Sequence, residues 1–181
     1  MAATTAQIRL PDWLAALPLP AAPASDDACM RFAISAAAGN VNRGTGGPFG
    51  AVIRNDETGE IIGVGVNVVL ASGNAVLHAE TVAISLAGPR VWHGATLFTS
   101  CEPCIMCLGA THWARLGRIV SAALKEDAEA AGFSEGAGTE QLRAEMEARG
   151  VVFQSGFMRE EGAAVLRDYN IRGLPIYGPK S

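Results

Sequence analysis

The stretch TSCEPCIMCLGATHWAR, residues 99–115, places Cys101, Cys104 and Cys107 within seven positions. No other segment of the sequence is as dense in side chains that bind metals or carry out redox chemistry. The spacing C-x2-C-x2-C is compatible with an iron–sulfur cluster, a redox-active dithiol or a metal site completed by another segment. The rest of the sequence favours the third interpretation.

The first two interpretations fit the neighbouring residues poorly. A ferredoxin-type run needs a fourth cysteine at position 111 followed by proline, but residues 111 and 112 are Thr and His. Cys29, the remaining cysteine, lies far upstream in a predicted helix. A redox dithiol requires no histidine or carboxylate from another segment, whereas the sequence supplies both in the tripeptide HAE, residues 78–80.

The tripeptide HAE can complete a catalytic zinc site. His78 lies at the predicted start of one helix, and Cys104 and Cys107 lie at the start of another, with Pro103 expected as its first residue. The two sulfur atoms then face one side of the helix, and helix N-termini favour thiolates. One His and two Cys leave the fourth position of a tetrahedral zinc site open. Glu80 is the candidate general base for a bound water.

The pattern H-x-E followed by P-C-x-x-C is the signature of the zinc nucleobase deaminases. The chain carries it as HAE and PCIMC, in that order and with a predicted strand between them. The sequence therefore predicts a hydrolytic deaminase that binds one Zn²⁺ per subunit. Cys29 and Cys101 are predicted to pack as small apolar residues.

Length and composition limit the other classes of function. The 181 residues are enough for one domain with a full core. The formal charge of −4 and the scattered basic residues disfavour a nucleic-acid partner and favour a small molecule. No apolar run is long enough for a membrane span, and the N-terminal residues lack the basic start of a secretory signal. The clustered cysteines indicate a reducing compartment, so a cytoplasmic location is expected.

The hydrophobic pattern predicts an α/β fold behind an irregular arm. The arm, residues 1–24, is rich in Ala and Pro, and the deaminase domain is expected to cover residues 25–181. A hairpin followed by alternating strands and helices predicts a three-layer α/β/α sandwich on a central mixed five-stranded sheet. The predicted strands are residues 51–54, 60–67, 95–100, 117–124 and 151–156, and the predicted helices are residues 27–44, 76–88, 103–114, 138–150 and 159–173.

The chain resembles the cytidine-deaminase-like superfamily over residues 26–178, and within it most closely the bacterial guanine deaminases. The resemblance rests on the segments GGPFGAVI, GVN, HAE, TSCEPCIMCLGATHWAR and EDAEAAGF, which occur in the family order. Several related deaminases share HAE and the cysteine pair. The tripeptide WAR and the segment EDAEAAGF are more particular to the guanine branch.

The resemblance implies roles that the residues alone leave open. It implies that Asn67 bonds the purine and that Glu135, where some family members have Asp, assists proton transfer to the leaving amine. Without it, Asn67 is equally an ordinary residue at the end of a strand, and Glu135 is one loop carboxylate among many. The substrate-binding residues that the resemblance implies are Phe49, Asn67, His78, Ala79, Trp113 and Tyr177.

The resemblance also implies a homodimer. In guanine deaminases of this type the C-terminal segment is exchanged between subunits, and a tail aromatic residue closes each pocket; Tyr177 is the candidate here. The residues alone equally allow a terminal helix that packs on its own domain. Domain exchange is a low-cost route to a dimer.

The implied reaction is the zinc-dependent hydrolysis of guanine to xanthine and ammonia. A related amino-substituted ring, either guanosine or an aminotriazine such as ammeline, is an alternative substrate that the sequence does not separate from guanine. Deamination of adenosine in tRNA would call for a basic approach surface. A non-catalytic zinc-binding module on the same fold is an alternative of a different class, but such a module would normally have lost the carboxylate of Glu80.

Overall fold

The central sheet of the structure, a computed structural model that describes residues 7–178, has five strands in the order β2-β1-β3-β4-β5. The antiparallel pairs are β1 with β2 and β1 with β3, whereas β3, β4 and β5 run parallel. The predicted mixed five-stranded sheet is therefore confirmed. The strands are β1 (Gly50–Asn55), β2 (Ile61–Val66), β3 (Ala95–Cys101), β4 (Arg118–Ala123) and β5 (Val152–Gln154).

Helices cover both faces of this sheet, which confirms the three-layer sandwich. They are α1 (Asp26–Asn42), α2 (Val69–Ser72), α3 (Ala79–Ala87), α4 (Ile105–Trp113), α5 (Lys125–Ala130), α6 (Thr139–Ala148) and α7 (Arg159–Ile171). One face packs against α1 and α7, and the other packs against α3, α4 and α6. Among the helices of residues 7–178, none has the length and apolar character to cross a membrane.

The central strands are apolar on both faces, as expected for strands covered by helices on both sides. The face under α1 receives Val52, Phe98 and Val120, which are adjacent in strand register, and the face under α3 receives Ile53, Leu97 and Ile119. All seven residues of β3 are buried. The carboxyl end of β3, where the cysteine segment begins, is therefore fixed from both sides.

The N-terminal segment packs on the domain within the described residues. A short 3₁₀ helix spans Asp12–Ala16, and its Leu14 is buried in the cluster that α1 forms with the sheet. Ser25 caps α1, because its side chain accepts a hydrogen bond from the N–H of Ala28 at 3.2 Å. The division into an arm and a deaminase domain stays a prediction, and residues 1–6 of that arm lie outside the described residues.

The start of α4 differs from the prediction. The helix begins at Ile105, because Cys104 has an extended backbone (φ −64°, ψ 169°) and occupies the N-cap position. Pro103 therefore precedes the helix, and the prediction that it is the first helical residue is wrong. His78 has the same extended conformation (φ −73°, ψ 163°) at the N-cap of α3, so that helix begins three residues later than predicted.

Candidate active site

Three side chains that can bind a metal converge where the first turns of α3 and α4 meet. His78 is the N-cap of α3, Cys104 is the N-cap of α4, and Cys107 lies in the first turn of α4. One ligand atom from each lies within 4.8 Å of the others, and Cys104 Sγ is 3.5 Å from His78 Nδ1. Zinc bonds of about 2.3 Å to sulfur and about 2.05 Å to nitrogen span about 3.5 Å at a tetrahedral angle. The spacing fits zinc.

The two cysteines of this triad differ strongly in acidity. The hydrogen bond from Cys107 is the largest cause that lowers the pKa of Cys104, to about 4, and the neighbouring His78 adds to it. The hydrogen bond to Cys104, together with burial, raises the pKa of Cys107 well above its usual value. Cys104 therefore favours the thiolate and Cys107 the thiol, and a dication bound by both would displace the thiol proton. The N-terminal dipoles of α3 and α4 also favour negative charge here.

Glu80 lies beside the triad in the first turn of α3 and is buried. Its Oε1 accepts a hydrogen bond from Thr99 Oγ1 at 3.2 Å, and its Oε2 accepts one from Cys107 Sγ at 3.3 Å. Burial, followed by the negative charge of Cys104, raises the pKa of this carboxyl group. The structure thus brings Glu80 to the metal ligands as a group that can exchange protons. Sequence reasoning missed Thr99, although a hydroxyl inside a fully buried strand was an available signal.

A cavity of about 270 Å³ opens onto these residues. Two larger hollows, of about 550 and 740 Å³, lie in other parts of the described chain and contain none of the three metal-binding residues. Chemistry rather than volume therefore identifies the site. Residues that line the cavity are Phe49, Ala75, His78, Glu80, Glu102, Cys104, Ile105, Met106, Phe133, Ser134, Glu135, Gly136, Tyr177 and Gly178.

Comparison with known proteins assigns this arrangement to a family. Residues 23–123 match the family model described as the cytidine and deoxycytidylate deaminase zinc-binding region. The chain belongs to this family. The match includes His78, Cys104 and Cys107 as well as Glu80. The prediction of a zinc cofactor is therefore confirmed.

Individual relatives in this deaminase family extend the comparison. The chain is 46% identical over 110 residues to the guanine deaminase of Bacillus subtilis strain 168. This alignment covers 59% of this chain and 69% of that protein. A solved structure of guanine deaminase from Nitrosomonas europaea has a TM-score of 0.85 at 32% identity and covers 94% of this chain and 99% of that one. A tRNA-specific adenosine deaminase of Streptococcus pyogenes serotype M18 is 43% identical over 77 residues, or 40% of this chain and 47% of that protein.

Aromatic rings form one wall of the cavity in this deaminase. Phe133 packs edge-on against Phe49, with ring centroids 5.0 Å apart, and against Tyr177 at 5.4 Å. Tyr177, from the C-terminal tail of the same chain, also lies 6.5 Å from the ring of His78. Its hydroxyl is buried, and no hydrogen-bond partner lies near it among residues 7–178. The structure thus places both Phe49 and Tyr177 at the site, while sequence reasoning missed Phe133.

Glu135 is the second buried acidic residue that lines the cavity, and only 7% of it is exposed. Its backbone carbonyl accepts a hydrogen bond from the N–H of Ile105 at 3.1 Å, which ties it to the first turn of α4. Burial, followed by the negative charges of Cys104 and Glu80, raises the pKa of Glu135 to about 8. The side chain is therefore largely protonated at neutral pH and able to donate a proton.

Asn67 lies directly after β2 and is fully buried. Its Oδ1 accepts a hydrogen bond from the N–H of Val69 at 3.2 Å, and its own N–H donates to the carbonyl of Phe49 at 3.1 Å. Its Nδ2 has no partner among the described residues. Such an orphaned donor is costly unless a ligand accepts from it. Ala79, buried as the first residue of α3, carries a backbone N–H that has no acceptor within its own helix.

Trp113 does not line this cavity. The residue ends α4, and 83% of it is exposed. It follows Cys104 by nine residues, which places it about 13 Å further along the helix axis. The prediction that Trp113 walls the pocket is therefore wrong for a single chain. Cys101 and Cys29 are both buried and lie outside the metal triad, in agreement with their prediction as apolar residues.

Glu102 fixes the loop that carries Cys104, although sequence reasoning gave it no role. Its Oε2 accepts a hydrogen bond from the N–H of Lys125 at 2.9 Å, at the start of α5. Its Oε1 accepts hydrogen bonds from Ser155 Oγ at 2.5 Å and from the Arg143 guanidinium at 3.4 Å. The loop between β3 and α4 is therefore tied to α5, α6 and the end of β5 by one carboxylate.

Proposed function

We propose that this chain is a zinc-dependent hydrolytic deaminase that converts free guanine and water into xanthine and ammonia. The observation that carries the proposal is the pair of buried carboxyl groups, Glu80 and Glu135, that face one small cavity beside the His78, Cys104 and Cys107 triad. Zinc held there lowers the pKa of a bound water to near 7. A non-catalytic zinc module has no use for two such carboxyl groups.

The two carboxyl groups divide the proton transfers. Glu80, next to the metal ligands, takes a proton from the attacking water and delivers it to a ring nitrogen of guanine, which makes C2 electrophilic. The oxygen of that water adds to C2, and the C2–N bond to the amine then breaks. Glu135, whose carboxyl group has a raised pKa, donates a proton to the departing amine, so that ammonia rather than an amide anion leaves. The new hydroxyl group on C2 returns its proton to Glu135 as it becomes the carbonyl group of xanthine, and both carboxyl groups are then back in their starting states.

The walls of the cavity favour a flat, neutral base. Phe133, Phe49 and Tyr177 offer apolar ring surfaces on which a purine can stack. The unpaired Nδ2 of Asn67 offers a hydrogen bond to an acceptor on the edge of the base. A volume of about 270 Å³ lies just below the usual range of about 300–1,000 Å³ for small-molecule pockets, which favours a free base over a nucleoside or a polynucleotide.

Turnover of a substrate panel tests this proposal. Ammonia release from guanine, guanosine, cytosine, adenine and ammeline is measured with zinc-loaded protein, and the ultraviolet change from guanine to xanthine is followed in parallel. We expect rapid turnover of guanine and little of the others. Preference for ammeline or guanosine would overturn the substrate, and silence across the panel with zinc bound would overturn the enzymatic proposal. The Glu80→Gln variant is the control for contaminating activity.

We also propose that two copies of the chain associate in solution. Trp113, the last residue of α4, is 83% exposed, and contact with a second copy would bury this large aromatic ring. Light scattering of the wild type and of Trp113→Ser tests this, and a wild type that is monomeric would overturn it. A role in nucleobase catabolism and a cytoplasmic location stay predictions.

Whether the tail is exchanged between copies is a separate question that mixed variants answer. In the single chain, α7 packs on β4 and α1, and Tyr177 lies at its own cavity. Chains carrying Glu80→Gln are unfolded and refolded together with chains carrying Tyr177→Ala. If tails are exchanged, a mixed dimer has one site with both Glu80 and a partner's tyrosine, so activity returns. No return of activity would overturn the exchange.

A further inference from the structure

Asn40, near the end of α1, makes a set of hydrogen bonds to Asn67 and to the loop that carries Phe49; Phe49 lines the cavity, and Asn67 is buried behind the lining residues. Asn40 is fully buried. Its Nδ2 donates to the carbonyl oxygen of Asn67 at 2.7 Å and to that of Gly47 at 2.9 Å. Its Oδ1 accepts from Thr45 Oγ1 at 2.6 Å. Both protons of the amide and its oxygen are therefore used, which fixes the side chain in one orientation.

The two carbonyl groups that Asn40 holds belong to two different segments. Asn67 follows β2, while Gly47 belongs to the loop that leads into β1 and carries Phe49. Asn67 and Phe49 are in turn joined by the backbone hydrogen bond of 3.1 Å. One amide group therefore sets the relative position of the orphaned Nδ2 of Asn67 and the ring of Phe49.

The loop has no space to shift toward Asn40 or toward the tail. A Cβ atom on Gly46 would lie 2.0 Å from the carbonyl oxygen of Asn67 and 2.6 Å from Nδ2 of Asn40. A Cβ atom on Gly47 would lie 1.8 Å from the hydroxyl oxygen of Tyr177. The loop backbone itself thus packs between Asn40 and the cavity, so a displacement of Asn40 is transmitted to the cavity wall.

The network continues outward to the N-terminal segment. Thr45 Oγ1, which donates to Asn40, accepts a hydrogen bond from Trp13 Nε1 at 3.0 Å. The ring of Trp13 also lies under the guanidinium of Arg43, 4.9 Å from the ring centroid. The 3₁₀ helix before the domain is therefore connected to Asn67 through Thr45 and Asn40.

We propose that Asn40 is a positioning residue for base recognition, which acts by holding the backbone of Asn67 so that its Nδ2 points at the bound base. The proposal rests on the proposed function, because it takes Asn67 as a contact of the base. Asn40 itself touches no reacting atom. Its role is to maintain the position of Asn67 relative to the base, and it takes no part in the chemistry at the metal.

Asn40→Asp tests the proposal because Asp keeps the acceptor for Thr45 and replaces the donating nitrogen by an oxygen that faces two carbonyl oxygens. We expect KM for guanine to rise about tenfold, the effect of losing one well-placed hydrogen bond. We expect kcat to change less than threefold, since uniform binding is lost rather than transition-state stabilisation. Zinc content, measured by absorption spectrometry, should not change. Asn170→Asp, the same change at an exposed position of α7, should leave both kinetic constants unchanged.

A double-mutant cycle separates this role from a general loss of stability. In an Asn67→Ala background, Asn40→Asp should raise KM no further, because the group that it positions is absent. If Asn40→Asp fails to fold, Thr45→Val serves in its place, with an expected rise in KM of about threefold that also vanishes in the Asn67→Ala background. An unchanged KM, or equal effects in both backgrounds, would overturn the role of Asn40 while leaving guanine deamination intact. A wild type that does not deaminate guanine would overturn both.

Discussion

Replacing Glu135 with Gln is expected to stabilise the protein while it slows catalysis. Burial, followed by the charges of Cys104 and Glu80, raises the pKa of Glu135 from 4.5 to about 8. A carboxyl group with a raised native pKa binds its proton more tightly in the folded state, so the folded state loses stability as the pH rises from 4.5 to 8. At about 1.4 kcal/mol per pKa unit, this penalty is about 3 kcal/mol at pH 7 and about 5 kcal/mol above pH 8. A neutral amide of the same shape avoids the penalty.

Urea unfolding, monitored by circular dichroism, measures this difference in the free energy of unfolding. Wild type and Glu135→Gln are compared at about pH 5, 7 and 8.5, first with zinc removed by a chelator and then with zinc bound. The stability advantage of the variant should grow from pH 5 to pH 8 and then stay level, and zinc should narrow it by offsetting the charge of Cys104. Glu145→Gln, which removes an exposed carboxylate from α6, is the matched control. If Glu135→Gln is no more stable than wild type, or is more stable by the same amount at pH 5 and pH 8.5, the reasoning is refuted. Unchanged turnover of this variant would remove Glu135 from the proton transfers.

Three further changes have expected outcomes. Glu80→Gln should lower kcat by about 10²–10⁴ while zinc content stays at one per chain, and normal turnover would remove Glu80 from the mechanism. Gly47→Ala places a Cβ atom 1.8 Å from Tyr177 Oη and 2.6 Å from Tyr177 Cζ, so KM for guanine should rise. Adding Tyr177→Phe removes the hydroxyl group and should restore KM in part. Full activity of the Gly47→Ala variant would show that Tyr177 does not pack against Gly47. Ser25→Ala removes the N-cap of α1 and should lower the free energy of unfolding by about 1 kcal/mol without affecting kcat, as measured by urea unfolding and steady-state turnover.

The metal centre could be predicted from the sequence because its chemistry is local. Cys104 and Cys107 are close in the chain, and His78 and Glu80 lie in one short segment, so spacing alone places each pair on one helix start. The sheet was predictable for a related reason: strands covered on both sides are runs of apolar residues, and β3 and β4 fit that pattern. In both cases the signal is a pattern of residues within one short segment, although the segments themselves meet over a longer distance in the sequence.

The features of the site that could not be predicted depend on contacts between distant segments. The hydrogen bonds of Asn40 with Asn67 and of Thr99 with Glu80 join residues that are 27 and 19 positions apart, and a single sequence carries no sign of such pairs. The position of Trp113 depends on the direction of α4 relative to the cavity. The start of α4 depends on one backbone angle, the ψ of 169° at Cys104, and the spacing of the cysteines does not determine it. Short helices such as α2 and α5 are too brief to show a periodic pattern.

The division of the site between helix starts and loops determines which mutations could alter the substrate specificity of this protein. The metal-binding residues and Glu80 lie at the starts of α3 and α4, which pack against each other, whereas the aromatic side of the cavity comes from three loop segments that contain Phe49, residues 133–136 and residues 177–178. Insertions and exchanges in such loops are tolerated far better than changes in a packed core. A library confined to those three segments would therefore explore new amino-substituted rings while the hydrolytic machinery stays intact.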